Sequence, residues 1–125
     1  MSAWGEREIK NAKITSTMLG WEDHGIFTCM IQLDYDGSGQ GFGGYGLDDY
    51  VGERGKGRRM GTAYGLEFIM RVCQVVGVEK WEDLPGKYVR ADAEHVKVHR
   101  IGHITADRWF DPAVLFTEMG GKNDD

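Results

Sequence analysis

The side chains of this 125-residue sequence that could bind an anion are arginines, and several of them stand near large aromatic residues. Guanidinium groups donate paired hydrogen bonds to phosphate oxygens, an aromatic ring can stack on a nucleobase, and a carboxylate can accept from ribose hydroxyls. The strongest candidate is D-R-W-F-D-P at 107–112, where an arginine adjoins two aromatics. The full set is Arg54, Arg58, Arg59, Arg90, Arg100 and Arg108, with Trp81, Tyr88, Trp109, Asp92 and Asp107.

A glycine-rich stretch, G-S-G-Q-G-F-G-G-Y-G at 37–46, contains the pattern G-x-G-x-x-G twice. A dinucleotide-binding fingerprint requires a helix directly after the glycines, but here L-D-D-Y follows and the next helical pattern begins at Thr62. The sequence also lacks the G-K-[ST] of a phosphate-binding loop. We therefore interpret the stretch as a turn at Asp36-Gly37 that leads into a strand, whose bare backbone admits a neighbouring subunit or a ligand.

Three histidines, His95, His99 and His103, are spaced four residues apart. On a helix this spacing would suggest a metal site, but V-K-V-H-R-I-G-H-I-T alternates apolar and polar residues as a strand does. Residues four apart on a strand lie ~13 Å from each other, too far to share one zinc ion. We predict no metal site here.

Groups suited to catalysis are present singly rather than as a constellation. His24 has Asp23 beside it, but adjacent residues in a turn rarely address the same proton, and no nucleophile accompanies them. Cys29 and Cys73 lie among apolar residues, where thiols are reduced and inert. We predict no catalytic residue and no cofactor, and hence a protein that is not an enzyme.

Composition sets the broad class of the protein. A net charge of −5 argues against binding of DNA, and 41% hydrophobic residues are typical of a globular domain. No run approaches the ~18 apolar residues of a membrane span, and no signal peptide is evident. We expect a cytoplasmic protein with one domain over 1–125, a core over about 8–118 and a disordered tail at 120–125.

The pattern of residues predicts an α+β fold with an antiparallel sheet of about five strands and two central helices. Thr62 and Gly77 are suited to begin and end the longer helix, and Val51–Met60 reads as a loop. In the second strand, every other residue from Phe27 to Tyr35 is expected to face the core. The predicted strands are 9–19, 26–35, 41–47, 87–91 and 96–105, and the helices are 62–76 and 78–84. The apolar helix positions expected to pack are Ala63, Leu66, Ile69, Met70, Cys73 and Val76.

Three blocks of the sequence resemble a known family. They are I-K-N-A-K-I-T-S-T-M-L-G-W-E-D-H-G-I-F-T, G-S-G-Q-G-F-G-G-Y-G-L-D and H-R-I-G-H-I-T-A-D-R-W-F-D-P. Together they are similar to the first-described Thoeris anti-defence proteins of phages, over about residues 9–112. The resemblance implies a non-catalytic sponge in the host bacterial cytoplasm. Such a sponge binds the cyclic ADP-ribose isomer that TIR-domain enzymes make from NAD.

The resemblance further implies a homo-oligomer, a dimer or larger, with ligand pockets near subunit contacts and in some members a separate site for cyclic oligonucleotides. Combined with the chemistry above, it gives a set of expected ligand-binding residues. Two alternatives remain open: an accessory protein-interaction module that uses its Gly-rich edge, and a small nucleotide hydrolase. The expected residues are His24, Arg58, Arg59, Trp81, Tyr88, Asp92, Arg108 and Trp109.

Overall fold

The computed structural model describes residues 6–52 and 57–121 and has the predicted α+β class. A six-stranded antiparallel sheet, a separate two-stranded sheet and two α-helices make up the described chain. Neither helix is both long and apolar enough to cross a membrane. The strands are β1 Glu8–Trp21, β2 Phe27–Asp34, β3 Gly39–Gly43, β4 Asp48–Val51, β5 Arg58–Gly61, β6 Tyr88–Glu94, β7 Lys97–His103 and β8 Trp109–Phe110; the helices are α1 Ala63–Val76 and α2 Pro112–Glu118.

The long first strand organises the large sheet, whose order is β3-β2-β1-β6-β7-β8. The later half of β1 pairs with β2 and its first six residues pair with β6. Because alternate residues of a strand share a face, Ile14, Ile31, Val89 and Ile101 all point to the core and are fully buried. The predicted core face of β2 is confirmed: Cys29, Ile31 and Leu33 are buried, while Phe27 and Tyr35 pack partly against the core.

Helix α1 covers this core, and both of its predicted ends are confirmed. The Thr62 hydroxyl accepts from the Gly65 N–H, and Gly77 ends the helix at a φ of 94° with its N–H bonded to the Cys73 carbonyl. The predicted packing face is only partly correct. Val76 is buried and Ile69 packs partly against the core, but Leu66 and Met70 are 63% and 46% exposed. The buried residues of the helix are Gly65, Phe68, Val72, Val75 and Val76, a stripe largely one position away.

Gly65 explains the choice of face, because a Cβ there would clash with the Leu47 carbonyl. Only the face that carries this glycine lets the helix backbone approach residue 47 so closely. The Thr62 N–H and hydroxyl both donate to the same Leu47 carbonyl, at 3.3 and 3.1 Å. The start of α1 is therefore fixed against the chain that leaves β3.

The Gly-rich stretch begins with the predicted turn, in which Asp36 and Gly37 have φ values of 70° and 117°. Strand β3 then runs from Gly39 to Gly43 rather than from residue 41 to 47. Cβ atoms at Gly39 and Gly43 would collide with the β2 carbonyls of Leu33 and Cys29. The bare backbone at these two glycines is therefore already covered by β2. It is not available to a neighbouring subunit or a ligand.

Two other predicted elements are corrected. Residues 78–84 form only a short 3-10 turn, Trp81–Asp83, because the segment is brief and Pro85 follows it. The second helix lies instead at the C-terminal end, where Asp111 caps α2 and Pro112 occupies its first turn. The predicted loop 51–60 overlaps the hairpin of β4 and β5. Its basic residues Arg54 and Lys56, like the tail residues 122–125, lie outside the described residues.

Candidate functional site

Trp109 lies on the short edge strand β8, where it pairs with Gly102 of β7. A Cβ at Gly102 would come within 2.7 Å of two indole carbons, so this glycine provides the space in which the ring lies. Two arginines on the same face stack on the ring: the guanidinium carbons of Arg90 and Arg100 lie 4.6 and 4.2 Å from its centroid. The indole is therefore held in place by cation–π contacts with both guanidinium groups.

Asp92 fixes one of these arginines. Its carboxylate accepts from Arg100 Nε at 2.8 Å and from Arg7 Nε and Nη2 at 3.0 and 2.9 Å. Asp92 is only 5% exposed, and the hydrogen bonds from Arg7, supported by those from Arg100, lower its pKa against the effect of burial. The structure thus places Asp92 behind Arg100, where it positions a guanidinium.

Arg90 is held by backbone carbonyls instead. Its Nε donates to the His103 carbonyl and its Nη2 to the Ala106 carbonyl, both at 2.8 Å. The His103 ring completes the turn, since its Nδ1 accepts from the N–H groups of Thr105 and Ala106 at 3.1 and 2.8 Å. Contacts from the Arg90 and His103 side chains to backbone atoms therefore shape the turn that precedes Trp109.

Two adjoining pockets, of about 130 and 240 Å³, flank this edge; we call them the β8 pockets. They share Arg71, Trp109 and Phe110. The smaller pocket adds Gln74, Val75 and Arg108, and the larger adds Arg100, Asp111, Val114, Leu115 and Glu118.

Not all of the cations that line these pockets are neutralised by the protein. Arg71 bonds Glu67 at 2.7 Å and lies 3.8 Å from Glu118. The side chain of Arg108, in contrast, has neither an ion pair nor a hydrogen bond within the described part of the chain. It lies beside Gly77 at the C-terminal end of α1, where a Cβ would be 3.5 Å from Arg108 Nη2. Arg100 uses only Nε on Asp92, so its two terminal nitrogens also remain available as donors.

The other predicted site residues lie elsewhere. Arg59 on β5 forms a two-point ion pair with Asp48, at 2.9 Å for each bond, which lowers the Asp48 pKa. Arg58 is exposed on the same strand. Trp81 packs on the core and donates from Nε1 to the Thr17 hydroxyl at 3.1 Å. These residues are not brought to the β8 pockets.

Tyr88 and His24 complete the predicted set. Tyr88 shares the outer sheet face with Arg90 and Asp92 of β6, but it lies at the far end of that strand and is 56% exposed. His24 lies in the exposed turn after β1, 3.3 Å from the Glu22 carboxylate. Of the eight predicted residues, the structure therefore gathers Arg108 and Trp109 at the β8 pockets, with Asp92 behind them.

Arg71 is a cationic lining residue that the sequence did not indicate. It lies on α1 between the buried Phe68 and Val72, and its pairing with Glu67 four residues earlier looks like an ordinary helix-surface ion pair. Its location follows only from knowing which face of α1 packs. Once Gly65 and Phe68 are known to face the core, Arg71 falls at the edge of that face, on the side of α2.

Among residues 6–52 and 57–121, no three His, Cys, Asp or Glu side chains are grouped to bind a metal ion. His99 contacts Glu94, whereas His103 contacts its own turn.

Comparisons with protein-family models, with curated proteins and with solved structures found no match for this chain.

Proposed function

We propose that this protein binds and sequesters a cyclic nucleotide immune signal, an isomer of cyclic ADP-ribose, at the β8 pockets without cleaving it. The observation that carries the proposal is the pairing of free guanidinium donors, on the terminal nitrogens of Arg100 and on the unpaired Arg108, with the indole of Trp109. A pyrophosphate needs several fixed cationic donors, and a purine needs a ring on which to stack. The three sequence blocks that resemble phage Thoeris anti-defence proteins imply the same ligand.

The acidic residues on the rim are engaged within the protein and do not take up these donors. Asp111 caps α2 by accepting from the N–H of Ala113 at 2.9 Å, and Glu118 faces Arg71. Each carboxylate therefore has a partner within the protein. The two terminal nitrogens of Arg100 and the guanidinium of Arg108 lack such partners among the described residues, and a phosphate could supply them at little cost in reorganisation.

Sequestration also suits the chemistry of the lining. Guanidinium and indole groups bind phosphate and base but do not exchange protons near neutral pH. Neither free thiol is a nucleophile at pH 7: Cys29 is 1% exposed and burial raises its pKa to about 12, and burial also raises the pKa of Cys73 on α1. We expect a ligand that leaves the pocket chemically unchanged.

The proposal is tested by titrating the protein with the cyclic ADP-ribose isomer made by a TIR enzyme, then denaturing the complex by heat and assaying the ligand. Intact ligand supports a sponge, and cleaved ligand would show a hydrolase. Arg108→Ala should weaken binding by about 10- to 100-fold, because a charge-assisted hydrogen bond contributes about 1.5–3 kcal/mol. Its melting temperature should stay nearly unchanged.

Arg58→Ala is the matched control, because Arg58 is also an exposed arginine but lies on β5, outside the β8 pockets. It should bind as the wild type does. Loss of binding in Arg58→Ala with retention in Arg108→Ala would place the site on the β4–β5 hairpin and refute the β8 pockets. A large loss of stability in Arg108→Ala would make that residue structural.

A protein-interaction module is the second candidate, because α1 presents an exposed apolar stripe. Leu66 and Met70 lie on this stripe, and Trp21 on β1 is 61% exposed. Such residues suit a contact with another protein, including a second copy in the homo-oligomer that we propose. Absence of ligand binding at micromolar protein, with the fold intact, would favour this function over the sponge.

A further inference from the structure

A third pocket, of about 360 Å³, lies on the opposite flank of α2 from the larger β8 pocket; we call it the α2 pocket. Residues 112, 113, 116 and 117 of the helix line it, whereas residues 111, 114, 115 and 118 line the larger β8 pocket. One short helix therefore separates two sites. The α2 pocket is lined by Tyr45, Gly46, Tyr64, Pro112, Ala113, Phe116 and Thr117.

The aromatic walls of the α2 pocket are held in place by the core. Tyr64 packs edge-on against Phe116 at 5.5 Å and against Phe68 at 6.0 Å, and its hydroxyl donates to the Pro112 carbonyl at 3.2 Å. Tyr45 lies 5.6 Å from Phe68, and its carbonyl accepts from the Thr28 hydroxyl at 2.6 Å. The pocket is consequently formed before any ligand arrives, which reduces the entropy cost of binding.

The lining is entirely uncharged. Burial raises the pKa of Tyr64 to about 12, so its hydroxyl stays neutral at physiological pH. Desolvating a phosphate against such walls would be unfavourable, whereas a neutral ring gains apolar contact and edge-to-face packing. The Thr117 hydroxyl and the Gly46 N–H have no hydrogen-bond partner within the described residues, and both can bond to polar atoms on a ring edge.

We propose that the α2 pocket binds an uncharged planar heterocycle of the size of a purine. The volume lies within the range of small-ligand pockets, about 300–1,000 Å³. Three aromatic rings supply packing surfaces, and the two unpaired polar groups supply orientation. This inference rests on the aromatic pocket alone and does not depend on phosphate binding at the β8 pockets.

Adenosine is the probe, because it carries a purine without a phosphate. Calorimetric titration should give a dissociation constant on the order of 100 µM, as expected for a ligand of this size in a pre-formed pocket. Ala113→Phe, at an exposed position of α2, fills the pocket and should weaken adenosine binding at least tenfold. Thr117→Phe should fill the same pocket from a second position.

Val114→Phe is the matched control, because Val114 is 53% exposed on the same helix but lines the larger β8 pocket. It should bind adenosine within about twofold of the wild type, while binding the cyclic ADP-ribose isomer less well. Undiminished adenosine binding in both Ala113→Phe and Thr117→Phe would overturn the proposal, as would no binding by the folded wild type. Adenosine binding that fails only in Val114→Phe would assign the ring to the β8 pockets instead.

Discussion

The two flanks of α2 differ sharply in chemistry although one helix of seven residues forms a wall of both. One flank, at the larger β8 pocket, has Arg71, Arg100 and Trp109 as its principal groups. The other, at the α2 pocket, has no charged residue and is built from Tyr45, Tyr64 and Phe116. The difference arises mainly from what lies opposite the helix: the arginine-bearing strands in one case and the Gly-rich stretch after β3 in the other.

The comparison shows two ways of making a pocket rigid. The charged flank needs compensation, because stacked guanidiniums must be oriented and partly neutralised; Asp92 and the backbone carbonyls of the 103–108 turn do this. The neutral flank needs only packing, with one hydrogen bond from Tyr64 to hold α2. We therefore expect the charged flank to depend strongly on single polar groups and on pH, and the neutral flank to depend weakly on both.

The largest effect should come from removing the charge of Asp92. Asp92→Asn keeps the shape but leaves Arg7 and Arg100 without their carboxylate, which should cost about 2 kcal/mol in the free energy of unfolding measured in urea. Asp107→Asn is the matched control, because Asp107 is exposed and lacks a hydrogen bond to the described residues. It should change stability by less than about 0.5 kcal/mol. Equal stability of the two variants would contradict the role given to Asp92.

The same carboxylate should make the charged flank sensitive to acid. Because the pKa of Asp92 is lowered in the folded protein, its ion pairs stabilise the fold above about pH 4, the pKa of an unfolded aspartate. This contribution is lost as the pH falls through the folded-state pKa. Urea titrations at pH 7 and pH 3 should therefore show the gap between wild type and Asp92→Asn narrowing in acid. A gap of the same size at both pH values would indicate a packing defect.

The extent to which the fold could be predicted is illustrated by α1. Its ends follow from local residues, a hydroxyl at Thr62 and a glycine at Gly77, and both were predicted correctly. Its packing face was predicted only in part, because 63–76 contains two apolar stripes with equivalent spacing. The choice depends on the contact between Gly65 and the Leu47 carbonyl, which joins segments 18 residues apart. Periodicity within a helix carries no information about such a contact.

The site was predictable to a similar degree. Arg108 and Trp109 were identified because they are adjacent in an aromatic segment, and the structure places both at the β8 pockets. Arg71 was missed because it reaches the site only through the packing of α1. Asp92 was identified for its oxygens, yet its contacts with Arg7 and Arg100 depend on strand register and on the chain before β1. A single sequence does not determine side-chain partners that depend on strand register or on the packing of distant segments.

The smallest effect should come from the neutral flank. Tyr64→Phe removes the hydroxyl that donates to the Pro112 carbonyl but keeps the ring against Phe68 and Phe116. The loss should be about 1 kcal/mol in unfolding free energy, the usual contribution of a neutral hydrogen bond. Tyr88→Phe, at a 56% exposed tyrosine, is the control and should have no measurable effect. Because Tyr64 stays neutral until strongly alkaline pH, the Tyr64→Phe loss should be equal at pH 3 and pH 7. A loss that narrowed in acid, as expected at Asp92, would mean that the two flanks do not differ in the way their contacts indicate.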